Sequence, residues 1–260
     1  MEKVKLEFKV QQFTELTDAQ WAIIEKNIDT GRKIKKDLRN VVNCILKITR
    51  TGCQWRNIDD KYGPWQSIYY YFRKWQKSGV FDTILVQLVE KERIRQGKNA
   101  QATASAIDSQ SIKKVAFIKI DTGIDGNKNI NGRKRNIVVD TLGLPLAIFV
   151  CAANIHDGQA GIELLPILDK TSKKLKLIRG DKAYKGEFSL SANWCNYDVE
   201  ISQKPPTEKG FVPETGRWQV ERSFAWCNFY RRLSKDFEKT VESSVAFIQF
   251  AFISIILSKF

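Results

Sequence analysis

A single histidine, His156, and five cysteines with no C-x-x-C pair leave little material for two common kinds of site. A nucleophilic triad or a zinc centre would have to be assembled around that one imidazole, in Asn154-Ile-His-Asp157, so a supporting role is expected for it. Cys44, Cys53, Cys151, Cys195 and Cys227 are odd in number and widely spaced, which argues against a disulfide framework and for reduced thiols in a cytoplasmic protein. Long apolar runs are also missing. The longest, Val245 to Leu257, is broken by Gln249 and Ser254 and is too short to span a bilayer, so it reads as core. Met1 is followed by charged residues rather than by an apolar leader, and no membrane segment is expected.

What the chain has in excess is positive charge. Against 29 Asp and Glu stand 43 Lys and Arg, a formal net charge of +14 over 260 residues. A polyanion is the partner this favours, because each neutralised phosphate releases counterions on binding; a merely basic soluble protein is the alternative on charge alone. With 43% hydrophobic residues the chain can build one substantial core and a smaller accessory domain.

Up to residue 98 the pattern is helical. Residues 1–16 alternate apolar and charged side chains, as a short strand or an arm would. Thr17-Asp-Ala-Gln20 then has the form of a capping box, and a basic turn at 32–36 leads to a second helix carrying Leu38, Val41, Val42, Ile45 and Leu46. In the next helix Trp65, Ile68, Tyr69, Phe72 and Trp75 share one face at 100° per residue. Gln66, Ser67, Tyr70, Arg73, Lys74 and Lys77 share the other. That outer face suits either a helix-turn-helix recognition helix meeting phosphates and base edges or a solvated bundle face. The polar run 96–103 marks a domain boundary.

From Ala104 strands take over. The expected strands run through Ile107, over Arg135–Asp140 and Leu146–Ala153, then over Leu175–Ile178 and Val199–Ser202 between helices at 158–169 and 187–195. Three strands followed by crossovers predict a mixed sheet flanked by helices. From Arg217 the chain reads as helical to its end, apart from a break near 236–240.

Three carboxylates stand out. Asp108 interrupts the first strand, where an unpaired acid is costly; Asp181 follows a short apolar strand; and Glu221 lies in a basic stripe with Arg217, Asn228, Arg232 and Lys235. Asp181 alone also fits a turn or helix-cap residue, and Arg217 with Glu221 fits an i, i+4 ion pair. Asp140 and Asp157 are weaker competitors. Lys128, Arg133, Lys134 and Arg135 form a basic patch expected in a loop before the second strand, pointing at a DNA backbone.

With their flanks, these segments resemble the DDE transposases of bacterial insertion sequences, of the insertion-sequence-five type. The resemblance rests on Ile107-Asp-Ser-Gln-Ser-Ile-Lys113, on Asn131 to Gly143, on Asp181-Lys-Ala-Tyr-Lys-Gly186, and on Arg217 to Trp226 with Arg231 to Asp236. Leu16 to Trp21 and Gly52 to Arg56 extend it over nearly the whole chain. It implies an α/β, RNase H-like catalytic domain at 104–260 preceded by an all-α helix-turn-helix domain at 1–98. It implies that Asp108, Asp181 and Glu221 bind two Mg²⁺ ions, with Mn²⁺ able to substitute. It also implies double-stranded DNA as partner, as terminal inverted repeats and as target, and a homodimer holding two ends in a nucleoid-associated complex. The DNA contacts would fall to Gln66, Ser67, Tyr70, Arg73, Lys74, Lys77, Lys128, Arg133, Lys134, Arg135, Arg217, Arg232 and Lys235. Of the family's Tyr, Arg, Glu and Lys signature, Arg217 and Glu221 match, whereas Glu214 and Asn228 replace the Tyr and the Lys; Arg232 or Lys235 would then supply the missing cation. A DNA-binding descendant that has lost catalysis is the alternative.

Overall fold

The structure is a computed structural model that describes residues 13–28, 37–202 and 218–260. Residues 1–12 of the arm expected at 1–16, the basic turn at 32–36, and Glu214 and Arg217 lie outside the described residues, and 13–16 form neither helix nor strand.

The first helix, α1 (Asp18–Ile24), starts on the expected capping box: Thr17 Oγ1 accepts from Gln20 N–H while Gln20 Oε1 accepts from Thr17 N–H. Helix α2 (Leu38–Thr51) is capped by the Asp37 carboxylate and ends at Gly52 in the left-handed conformation. Helix α3 (Trp65–Lys77) turns through Ser78 and Gly79, φ +72°, directly into α4 (Val80–Arg95).

The sheet follows in β1 (Ala104–Lys113), the edge strand β2 (Gly123–Asp125), β3 (Ile130–Asp140) and β4 (Pro145–Ala152). Helices α5 (Asp157–Ile162) and α6 (Leu165–Thr171) replace the single helix expected at 158–169. Then come β5 (Leu177–Gly180), α7 (Glu187–Trp194) and β6 (Asp198–Ile201). The order is β2-β3-β1-β5-β6, with β4 also on β3; β1, β3 and β4 pair antiparallel, while β5 and β6 add in parallel on the other side of β1. This is the RNase H-like arrangement, with a three-residue edge strand added.

Two features depart from the sequence reading. The basic patch is not a loop: Arg133, Lys134 and Arg135 lie inside β3, which begins at Ile130. The helix carrying Glu221 is also shorter than expected. Helix α8 (Trp218–Cys227) stops because Asn228 to Tyr230 leave it in a turn, where Arg50 donates to the Phe229 carbonyl at 2.8 Å and stacks over the Tyr230 ring. Arg232 and Lys235 therefore do not continue the Glu221 face.

Alternation sorts the apolar side chains onto two faces of the sheet. On the back, Ile107, Val138 and Ala147 pack with Leu165, Leu168 and Phe188 of α6 and α7. On the front, Ala106, Ile137 and Val139 join Val220 and Phe224 of α8 and α9 (Val241–Leu257). Helix α9 is apolar nearly all round and is buried accordingly. Its Phe247, Phe250 and Phe252 belong to the same core as Ile45 of α2, Phe72 of α3 and Phe81 of α4, so residues on both sides of 98–104 share one apolar interior.

Where β3 ends, buried Asp140 pairs with Arg93 of α4 and accepts from the Leu142 and Leu144 N–H groups, both at 2.8 Å. The turn so formed receives α8: Arg222 donates to Leu142 O and Ser223 to Gly143 O, both at 2.7 Å. Gly143, φ +76°, suits glycine, because a side chain there would be strained in the left-handed backbone and its Cβ would crowd Ser223 Oγ at 3.0 Å. Asp140 is thus a structural counter-charge.

Candidate metal centre and nucleic-acid interface

Asp108 sits midway along β1, two residues after Ala106, so both point to the front face. The parallel register between β1 and β5 pairs Ala106 with Arg179. That is the last pair of the ladder; Gly180, the last residue of β5, still lies against Ile107, and Asp181 follows one residue past the strand end, so the register carried on by two residues points Asp181 toward the level of Asp108. Asp181 keeps an extended backbone, φ −84° and ψ −173°, while its Oδ1 caps the turn 182–184 by accepting from Ala183 N–H at 2.9 Å. The cap and the ligand readings of Asp181 are therefore compatible. Gly180 makes room for this corner, because a Cβ there would come within 2.9 Å of the buried Tyr184 ring and 3.1 Å of Ile107. Asp108 Oδ1 accepts from Ser109 N–H at 2.7 Å.

Glu221 is exposed on α8, whose buried residues Val220 and Phe224 pack against the same front face. All three acids thus belong to one side of the sheet. Among the described residues, however, no group of three or more His, Cys, Asp or Glu side chains is gathered closely enough to hold a metal ion. The hard carboxylate oxygens of Asp108, Asp181 and Glu221 are of the type that suits Mg²⁺; among the described residues the trio is not assembled around one point.

The side chains expected to contact DNA fall into two groups. On α3, Gln66, Tyr70, Lys74 and Lys77 are exposed, whereas Ser67 is half-buried and Arg73 turns to Ser243 of α9 at 3.4 Å. Lys128 and Lys235 are exposed as well. Arg133, Lys134, Arg135 and Arg232 are enclosed, which corrects the surface role expected for them. Arg133 is 0% exposed and donates to the carbonyls of Ile120, Asp121 and Glu238, to Ser244 Oγ, and pairs with Asp236 at 3.4 Å. Lys134 donates to Ile155 O and pairs with Asp157. Arg232 holds Glu238 at 2.7 Å. Arg135 is buried on the front face with its Nε lacking a hydrogen-bond partner; desolvation lowers its pKa. Burial also pushes the neighbouring Cys227 thiol up to about 12, against the opposing pull of Arg135, which keeps it neutral. Arg133 and Lys134 meet their carbonyls and counter-charges far along the sequence, whereas the partner of Arg232 is six residues away.

Behind the sheet lies a second polar set that sequence reasoning missed. Ser111 donates to Asp125 at 2.5 Å, a contact that with two backbone N–H groups holds this carboxyl below the usual range. Ser109 Oγ donates to Asp157 Oδ1 at 2.8 Å. The two serines alternate with Asp108 along β1, a pattern visible in the sequence, but their acid partners are not. His156 caps α5, its Nδ1 accepting from Gly158 N–H at 3.1 Å, in keeping with the supporting role expected of it.

No helix among the described residues is long and apolar enough to cross a membrane. Family models match most of the chain. One described as "Putative transposase of IS4/5 family" covers residues 16–85, and two described as "Transposase DDE domain" cover 99–190 and 181–258. The chain is 30% identical over 128 residues to the "Putative transposase for insertion sequence element IS402" of Burkholderia cepacia. That alignment takes in 45% of this chain and 59% of the relative, so the chain spans under two thirds of the curated protein it matches. With an RNase H-like sheet, an IS4/5-family transposase model matching its first helices and two DDE-domain models together matching more than half of its length, the chain belongs to the DDE-domain transposases.

Proposed function

We propose that this protein binds the terminal inverted repeats of an insertion sequence, cuts DNA at the element ends and joins the freed 3′-OH to target DNA. The observation that carries this reading is the parallel register pairing Ala106 of β1 with Arg179 of β5, two residues before Asp108 and Asp181 respectively, at the sheet whose front face packs against the helix that carries Glu221. Two Mg²⁺ ions held by these three carboxylates would activate the attacking oxygen and stabilise the leaving one. Without a cation three such charges repel, which accounts for an open arrangement of the acids. The exposed side chains Gln66, Tyr70, Lys74 and Lys77 of α3 take the DNA duplex, within a recognition region at residues 1–98, and Lys128 and Lys235 add backbone contacts. Two ends held together call for a homodimer, acting at the cytoplasmic nucleoid.

The test is nicking of an end-containing duplex by the full chain with Mg²⁺ or Mn²⁺. Asp108→Asn, Asp181→Asn and Glu221→Gln are each expected to abolish the cut while inverted-repeat binding in a gel shift persists. Full cleavage by any of them refutes the assignment. The dispersed trio of acids favours one other reading, a DNA-binding descendant without catalysis; a wild type that binds ends but yields no cut strand under any divalent ion would select it.

A further inference from the structure

Two short chains of contacts run from Asp108 and Asp181 to one point behind the sheet. The first begins at Asp108, whose Oδ1 accepts the Ser109 N–H, while the Ser109 hydroxyl donates to Asp157 Oδ1. The second begins at Asp181, whose Oδ1 accepts the Ala183 N–H, while the Ala183 carbonyl lies against Gly158; a Cβ on that glycine would be 3.0 Å from the oxygen. Asp157 and Gly158 are consecutive and open α5. The point where both chains end is pinned by Lys134. Its ammonium, on a side chain 8% exposed, pairs with Asp157 Oδ1 at 2.7 Å and donates to Ile155 O at 2.8 Å. A buried ammonium holds its counter-ion tightly, because losing it leaves an uncompensated charge in a poorly solvated place.

We propose that the Lys134–Asp157 pair, through Ser109 on one side and Gly158 on the other, fixes the spacing of the Asp108 and Asp181 carboxylates and so sets the affinity of the front face for a divalent cation. Asp157 and Lys134 are positioning residues; the ion pair faces the back of the sheet and the acids face the front. The inference rests on the metal-site reading above. Groups that orient ligands from behind typically change metal affinity by about 10–100-fold when removed, because a ligand displaced by a fraction of an ångström no longer shares the ion.

Mn²⁺ binding to the full chain, followed by electron paramagnetic resonance, tests it. Asp157→Asn and Lys134→Met are expected to weaken Mn²⁺ by about 10-fold or more. Ser109→Ala leaves the ion pair intact and cuts only the link to Asp108; it is the variant to rely on where the other two fail to fold, and it should also weaken binding. In nicking assays the Mn²⁺ concentration for half-maximal rate should rise while the rate at saturation is kept, a split that general loosening of the fold would not give. Folded variants that bind Mn²⁺ like the wild type overturn the inference. A wild type that binds no Mn²⁺ overturns the metal-site reading, and this inference with it.

Discussion

Replacing Asp140 by alanine should be among the most damaging single changes in the molecule. The carboxylate is 0% exposed and its partner Arg93 is 6% exposed in the side chain, so neither charge can fall back on water. Removing one member of such a pair typically costs about 3–5 kcal/mol. The Leu142 and Leu144 N–H groups also lose their acceptor, and each buried donor left unmade adds about 1–3 kcal/mol unless the turn opens to solvent. Against a total stability of about 5–15 kcal/mol for an ordinary domain, the ion-pair term alone removes a large share. Equilibrium urea unfolding followed by tryptophan fluorescence measures this. Asp18→Ala is the control: it breaks the Arg39 pair at a carboxylate 96% exposed and should change little. The double variant Arg93→Met/Asp140→Asn removes both charges and keeps an acceptor for the two amides, so it should recover most of what Asp140→Ala loses. A cost below about 1 kcal/mol for Asp140→Ala, or no recovery in the double variant, would refute the reasoning.

Other expectations concern separate parts of the fold. Gly132→Ala should prevent stable folding, because the new Cβ would lie 1.9 Å from the Ile112 carbonyl of the paired strand and 2.8 Å from Lys114 N just past its end, both backbone atoms; a melting temperature within a few degrees of wild type would contradict this. Burial raises the Glu238 carboxyl to about 7 despite its Arg232 partner. The folded chain then holds a proton that the unfolded chain releases, so this group's contribution to stability should fall as pH rises from 4.5 to about 7, and Glu238→Gln should flatten that slope in unfolding titrations. Lys74→Ala and Lys77→Ala should each weaken end binding uniformly across sequences and lower the salt slope of log Kd by about 1; unchanged slopes would remove α3 from the interface.

The fold was legible wherever neighbours in sequence decide it. Thr17 and Gln20 cap each other within one turn, the apolar run at 245–257 is buried because no polar face breaks it, and the order of strands and helices after Ala104 restricts the sheet to few arrangements. Asp108 was legible because a strand interior disfavours an acid, and the desolvation it suffers there must be offset by a partner or a cation. The basic run at 133–135 was misleading for the opposite reason. A string of cations looks solvated, and what encloses these three is a set of carbonyls and acids from the 120s, the 150s and the 230s that no local pattern announces. The break after Cys227 was hidden likewise, since the Arg50 contact that holds the turn comes from α2.

Helix α9 limits how this protein could be re-engineered or could exchange parts in evolution. The last helix of the chain supplies Phe247, Phe250 and Phe252 to the packing of the first helices, so the amino-terminal segment has no complete interior of its own. A chimera that imported a foreign reading head in place of residues 16–98 would strand those rings against unmatched surface. A transferable cassette would have to be discontinuous, taking the first four helices together with residues 241–257.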